Sequence, residues 1–444
     1  MILNRQSLRN NVMKIKKLNI IYLLLFVLMM NGTATFAQPS SDTSFVKIKL
    51  PLIQFLSLVG KQNLDYQAQK YNVSISEAGI ESAKVFPDPE LSFGAFDNQN
   101  ASKKLGYGYN AGLSTTLELG GKRRSRIDLA KSQVELNKAM LEDFFRNLRA
   151  DASLAYYTAI QNFYIFQVQK NSWENMDKLA KADSIRFKLG AITETDARQS
   201  KLESGTLRNT LFQNEADWKT ALVQLNLLTG KAHADTLFIP SGDFDKLDRG
   251  YLLGNLIANA QNNRADLVVA LNTKTAAEKS LQLVKANRTI DLGINLGGTY
   301  NAAATNEIAP TPAYRSLNAG LSIPLKFSNH YKGDIKAAQY TIKQSAVQYD
   351  QVLLQIQTEV TQSWMNYKAA QQQATQFKNG LLTEAQKVLD GKIYSYKRGE
   401  TSLLEVLNAQ RTYNDVQQNY YQSLFNYASA LITLERSAGI WDLQ

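Results

Sequence analysis

Residues that could do chemistry are few in this chain. It has 444 residues, no cysteine and two histidines, His233 and His330. The histidines are remote from each other and from carboxylate clusters, so metal-site spacing is absent. No nucleophile motif accompanies either of them, and "ELGGKRR" from Glu118 lacks the spacing and the ending of a phosphate-binding loop. We therefore predict that the chain is not an enzyme and has no metal site and no cofactor.

Two acidic residues occupy matching places in the two halves of the chain. Asp196 is the sixth residue after Gly190, and Glu405 is the sixth after Gly399. In an assembly of several copies, a ring of such carboxylates would attract cations. At the start of a helix, the same residue type simply stabilises the helix through its dipole. The two residues alone fit either a carboxylate ring or an ordinary helix start.

The first 37 residues have the pattern of a secretory signal peptide. Five positive charges and no negative charge accompany an apolar run at 20–30, and small residues, Thr35 and Ala37, follow it. Translation would start at Met1 or Met13, and a retained membrane anchor is the alternative. Without this segment the formal charge of +11 falls to +6, and a charge that small does not indicate a nucleic-acid partner.

The remainder of the chain is internally duplicated. An offset of 208 relates Leu113 to Leu321, and an offset of 201 relates Asp65 to Asp266. The duplication predicts a first structural repeat at 38–230, a connector at 231–263 and a second repeat at 264–444. The predicted elements are strands at about 89–97, 107–119, 289–300 and 315–327, with long helical hairpins at 122–230 and 330–436.

The four predicted strands alternate between apolar and polar residues, most clearly at 107–119 and more weakly at 89–97. One face of the segment at 107–119 carries Tyr, Ala, Leu and Thr, and the other carries Gly, Asn, Ser, Thr and Glu. A soluble sandwich would show the same alternation. The strand lengths and the small polar residues of the second face favour a membrane barrel with a hydrated interior. Since open sheet edges cannot face lipid, three copies contributing twelve strands are predicted.

Long helices follow the strands without a break. Residues 122–189 contain no proline, and heptad spacing along the last helix favours side-by-side coiled-coil packing. A strand can continue into a helix where membrane meets water, so the predicted fold is a membrane β-barrel prolonged by an α-helical barrel. Lys122, Arg123 and Arg124 at this joint are expected near lipid headgroups. An ordinary solvated helix start is the alternative.

The duplicated layout, "FKLGAITETDARQ" from Phe187 and "YKRGETSLLEVLNAQ" from Tyr396 resemble the TolC-like outer-membrane efflux family over essentially the whole chain after residue 37. The segment "ELGGKRRSRIDLA" from Glu118 is similar to the branch serving cobalt–zinc–cadmium and copper exporters. The resemblance implies a homotrimer in the outer membrane with a long periplasmic extension. It also implies a periplasmic adaptor, or membrane fusion protein, and an inner-membrane RND-type pump or ABC exporter as partners.

The resemblance places the turns at Gly190 and Gly399 at the periplasmic end. In the family, acids at the position of Glu405 and one turn later line a constriction; the later position here is Asn408, which is uncharged. Gate candidates are therefore Asp196, Glu405 and Asn408, and the adaptor-contact candidates are Arg186, Lys188, Gly190, Lys397, Arg398 and Gly399. The predicted function is a passive exit duct for metal cations or drugs. A duct for type I protein secretion and a non-conducting coiled-coil spacer are the alternatives.

Overall fold

The computed structural model describes residues 46–98, 104–230, 236–326 and 330–442, and from Lys47 onward they belong to one compact unit. The predicted signal peptide lies outside the described residues. The first half comprises β1 (Val46–Leu50), α1 (Leu52–Gln62), α2 (Leu64–Lys84), β2 (Glu90–Asp97), β3 (Tyr107–Leu117), α3 (Lys122–Lys188) and α4 (Glu194–Leu228).

The second half repeats this order. After β4 (Thr236–Pro240) come α5 (Leu253–Asn263), α6 (Ala265–Asn287), β5 (Leu292–Asn301), β6 (Tyr314–Ser322), α7 (Lys332–Gln376), α8 (Leu382–Lys397) and α9 (Leu403–Ala438). The helix pair α5–α6 matches α1–α2, so the second helical pair begins inside the segment expected to be a connector. The strand β6 ends well before the predicted limit, because Pro324 cannot donate to a neighbouring strand.

The four long strands form one antiparallel sheet in the order β2-β3-β5-β6. Its register places Leu91, Leu113, Leu296 and Ala319 in one row across the sheet. Alternation then collects the apolar residues on one face, which is exposed in the single chain; Leu317 there is 94% exposed. The other face carries Gly, Asn, Ser and Thr. Within the described residues, β2 and β6 each pair with one strand and leave one edge open.

The helices that adjoin the four strands in the sequence pack against one another in the same order as those strands. Neighbouring pairs are α2 with α3, α3 with α6, and α6 with α7, while α4 and α9 both pack on α3, and α9 also packs on α7 and α8. The largest buried cluster joins these helices near β1 and β4, with Phe55, Tyr156, Leu222, Tyr367 and Leu431 at its centre. No helix in the described ranges combines the length and the apolar character needed to cross a membrane.

The two copies differ in the rod that leads away from the sheet. In the first copy α3 runs for 67 residues without interruption. In the second copy a π-helical turn, Phe377–Leu381, separates α7 from α8. Asn379 and Gly380 leave helical geometry there, and Gly380 has a φ of 119°, which residues with a side chain rarely adopt. The predicted second hairpin is therefore bent where the first is continuous.

Candidate functional site at the helix turns

The first turn joins α3 to α4 at Gly190. This glycine has a φ of 74°, and the N–H groups after the helix bond to carbonyls of its last turn, which ends α3. Thr193 precedes α4; its hydroxyl donates to Asp196 Oδ2 at 2.7 Å and accepts the Asp196 N–H at 3.1 Å. Thr193 is the capping residue of α4, and Asp196 is half-buried in the first turn of that helix. Its position is that of a helix-start residue.

The second turn joins α8 to α9 at Gly399, whose φ is 78°. Glu405 lies in the first turn of α9 and forms an ion pair with Lys392 of α8; about half of each side chain is exposed. The hydrogen bond from Lys392 holds the pKa of the Glu405 carboxyl below its usual range. Asn408, one turn further, is exposed. Glu405 is therefore ionised at neutral pH, and a cation of its own chain partly neutralises it.

A buried carboxylate connects the two turns. Asp183 on α3 is fully buried, and the Tyr396 hydroxyl at the end of α8 donates to its Oδ1 at 3.1 Å. Arg186 lies 3.6 Å from the same oxygen, and its guanidinium is 4.9 Å from the Tyr396 ring centroid. Burial raises the pKa of the Asp183 carboxyl, and the Tyr396 hydrogen bond opposes that shift. These contacts hold the two hairpins together at their turns.

Apolar packing supports the same connection. Met176 of α3 and Tyr396 of α8 form a buried cluster with three residues of α9, which are Leu403, Val406 and Leu407. This cluster is separate from the large one near β1 and β4. It fixes the first turn of α9, and with it Glu405, against α3. The positions of the acids therefore depend on side chains from both halves of the duplication.

The predicted adaptor-contact residues fall into two groups. Lys188, Gly190, Lys397 and Gly399 are exposed around the two turns. Arg398 is also exposed but pairs with Glu400 at 2.9 Å, and Arg186 is half-buried against Tyr396. The exposed lysines and glycines of the first group form the accessible surface of the two turns, whereas Arg186 acts mainly inside the protein.

The basic joint between strand and helix is used differently from the expectation. Lys122 is only 5% exposed, and its Nζ lies 2.5 Å from Asp291 Oδ2. The Arg123 Nε donates to a carbonyl of α2 at 2.6 Å, whereas Arg124 is exposed. Of the three predicted interface cations, Arg124 alone has an exposed side chain. Lys122 instead ties α3 to the residue preceding β5.

Sequence reasoning missed Lys392, Asp183, Asp291 and Arg126. Arg126 forms an ion pair with Glu118 at 2.7 Å and bonds to carbonyls that end α2. A helical residue in the sequence looks the same whether it is buried against a partner or exposed to water. The one available signal was the duplication itself, which brings the ends of the two copies together.

The described residues contain no cluster able to hold a metal ion.

The open-edged, two-faced sheet and the paired hairpins define a class of protein. The chain matches the family described as outer membrane efflux protein at residues 55–231 and 256–440, so it belongs to that family. The two matched ranges follow the duplication. Membership confirms the resemblance deduced from the sequence, and it confirms that the chain is an outer-membrane channel protein and not an enzyme.

Alignments with individual relatives cover most of the chain. The cobalt-zinc-cadmium resistance protein CzcC of Cupriavidus metallidurans is 24% identical over 414 residues, which is 91% of this chain and 95% of CzcC. The outer membrane protein TolC of Escherichia coli is 20% identical, covering 89% of this chain and 85% of TolC. A crystal structure of CusC, described for its transmembrane channel formation, aligns with a TM-score of 0.70 at 16% identity over 92% of this chain and 96% of that chain. This likeness confirms the predicted TolC-like fold.

Proposed function

We propose that three copies of this outer-membrane efflux protein assemble into a passive exit duct. The observation that carries the proposal is the open sheet. Its apolar face is exposed, its other face is small and polar, and in the part of the chain that the structure describes β2 and β6 each have an unpaired edge. Unpaired backbone groups are costly in lipid, so the edges need strands from other copies. A polar inner face favours a hydrated conduit over a non-conducting spacer.

The duct is proposed to work in a tripartite system, with a periplasmic adaptor and an inner-membrane pump. Support comes from the absence of a nucleotide or catalytic motif in the sequence, which leaves the energy for transport to a partner. The exposed turn residues Lys188, Gly190, Lys397 and Gly399 would form the surface that the adaptor contacts. Metal cations are the proposed cargo, supported by the similarity to the cobalt-zinc-cadmium resistance protein CzcC.

The proposed aperture lies at the second turn. Three copies of Glu405 would form an acidic ring there, with Lys392 reducing its charge and Asn408 adding a polar, uncharged ring. Asp196, which bonds to Thr193 in the first turn of α4, would support the aperture from the other helix turn. The charge of the ring is therefore set by the balance between Glu405 and Lys392.

Single-channel recording in planar bilayers tests the aperture with two opposed variants. Glu405→Gln should lower cation preference, and Lys392→Gln should raise it, because the second change releases the acid from its partner. Arg124→Gln, an exposed cation at the other end of α3, is the matched control and should change neither property. Unchanged reversal potentials in both aperture variants would exclude a gating role for Glu405.

The cargo is tested in cells. In a deletion strain, minimum inhibitory concentrations of zinc, cobalt and copper should fall, and the chain restored on a plasmid should return them. A fall confined to dyes, or a loss of an exported protein with metal resistance intact, would reassign the duct to drug efflux or to type I secretion.

A further inference from the structure

A basic groove lies beside the first turns of α7. Its volume is about 820 Å³, and among its described lining residues there are five that are basic and none that is acidic. The basic residues are Arg288, His330, Lys332, Lys336 and Lys343. Tyr340 lies between two of them, with the ammonium groups of Lys336 and Lys343 at 5.9 and 5.6 Å from its ring centroid. A concentration of like charge in a concave surface favours a negatively charged occupant.

The first copy of the duplication shows how the corresponding place is filled. Lys122 is the first residue of α3, as Lys332 is the first of α7, and two residues with left-handed backbone precede each helix. Lys122 is buried because Asp291, the residue preceding β5, pairs with it at 2.5 Å. Asp291 also accepts the Leu119 N–H at 3.3 Å. Lys332 is exposed, since its own chain has no third copy to supply such an acid.

The missing acid has an equivalent at the other end of the sheet. The offset of 201 that relates Leu91 to Leu292 also relates Glu90 to Asp291. Glu90 is the first residue of β2, the open edge strand, and its side chain is exposed. In each chain, therefore, a basic groove lies beside α7, which follows one edge strand, and an exposed acid begins the opposite edge strand.

The helices next to these edges show the same complementarity in apolar residues. On α7, Tyr340, Val347 and Leu354 are exposed and seven residues apart, which is the spacing of a coiled-coil seam. On α2, the helix matching α6, the exposed apolar residues are Leu64, Tyr71 and Ile75. Both α7 and α2 therefore expose apolar side chains in the single chain.

We infer that the basic groove is a docking site for a second copy of this chain, whose Glu90 enters it and pairs with Lys332 as Asp291 pairs with Lys122 inside one chain. The α2–β2 edge of the second copy covers α7 and β6 of the first. The contact is heterologous, so it joins unlike surfaces and leaves a further groove and a further acid for the next copy. The inference rests on the proposed assembly of several copies and assigns the residues that fix its register.

Cross-linking tests the pairing, and the chain is suited to it because it contains no cysteine. The full chain carrying Glu90→Cys and Lys332→Cys, treated in outer membranes with a short bis-maleimide, should give covalent dimers and trimers on a denaturing gel. Lys122→Cys with Asp291→Cys is the matched control and should stay at the monomer position, since both residues belong to one chain. Glu90→Cys with Arg124→Cys, at the wrong helix start, should also remain monomeric.

Charge reversal provides the second measurement. Glu90→Lys and Lys332→Glu should each weaken the oligomer seen on a native gel, and the double reversal should restore it. If the wild type is oligomeric but the cysteine pair gives only monomers and the double reversal rescues nothing, the pairing is overturned while the duct stands. If the wild type is itself monomeric, the proposed assembly fails first. Loss of co-purifying phospholipid from Lys332→Glu, without rescue by Glu90→Lys, would assign the groove to a lipid phosphate and overturn the inference.

Discussion

Arg264 is a buried cation that joins three helices of the second copy. It precedes α6, is 4% exposed, and donates to Asp266 through Nε at 3.0 Å and Nη2 at 2.6 Å. Its Nη1 donates to Glu359 Oε2 at 2.7 Å and to the Ser437 carbonyl at 3.0 Å. One guanidinium therefore connects α6, α7 and the end of α9. Arg264→Met removes the charge, keeps a similar volume and leaves two carboxylates without this partner.

The expected loss is about 3–5 kcal/mol in the free energy of unfolding, because a buried ion pair that loses one partner leaves uncompensated charge. Burial would raise the pKa of Asp266, but the hydrogen bonds and charge of Arg264 outweigh it, and the net shift is downward. A depressed pKa means that Asp266 contributes stability above its ordinary pKa and loses it as the pH falls. In Arg264→Met this contribution is absent, so the difference from wild type should persist down to about pH 4 and shrink only below it, as the pH falls through the depressed pKa.

Urea-induced unfolding in detergent, followed by the far-ultraviolet circular dichroism of the helices at about pH 7 and about pH 3, measures both effects. Arg264→Lys keeps the charge without the two-pronged geometry and should lose less. Arg124→Met, at an exposed site, is the control and should change stability by no more than about 0.5 kcal/mol. A loss in Arg264→Met that is equal at both pH values would refute the electrostatic account and leave only lost packing.

Two further predictions concern other parts of the fold. Gly230 has a φ of 68°, and a Cβ there would lie 2.2 Å from a backbone oxygen, so Gly230→Ala should lower the free energy of unfolding by at least about 1–3 kcal/mol. Gly205 lies inside α4 with open space around it. Gly205→Ala should therefore raise the free energy of unfolding by about 0.5–1 kcal/mol in the same urea experiment. Tyr396→Phe removes the hydrogen bond to Asp183 and should cost about 1–3 kcal/mol. A double-mutant cycle with Asp183→Ala, which removes the acceptor, checks this: a coupling energy near zero would show that the bond does not hold the hairpins together.

The repeating parts of the architecture were predictable because their signals are periodic. Alternation in the segment around Leu113 predicts a strand with two unlike faces, and the register confirms that the apolar residues share a face. The long helix from Lys122 follows from the lack of proline over 122–189. The duplication predicted that the second half would repeat the order of the first.

The contacts of the candidate site were not predictable, because they join residues with no fixed spacing. Lys392 and Glu405 are 13 residues apart, on two helices whose relative position depends on the turn at Gly399. Asp183 and Tyr396 are 213 residues apart, and only the packing of α3 against α8 and α9 brings them together. Lys122 was expected near headgroups since a basic run looks solvated; its burial depends on Asp291, which lies 169 residues away.

The π-helical turn at Phe377–Leu381 makes the two rods of one chain mechanically unequal, since one is continuous over 67 residues and the other has a hinge. Around a ring of three chains, continuous and interrupted helices would alternate. The ring of helices would then have threefold rather than sixfold symmetry. Any bending of the tube would concentrate at three equivalent points and leave the intervening rods straight. A protein that binds the turns at Gly190 and Gly399 would therefore contact two mechanically different kinds of hairpin in alternation.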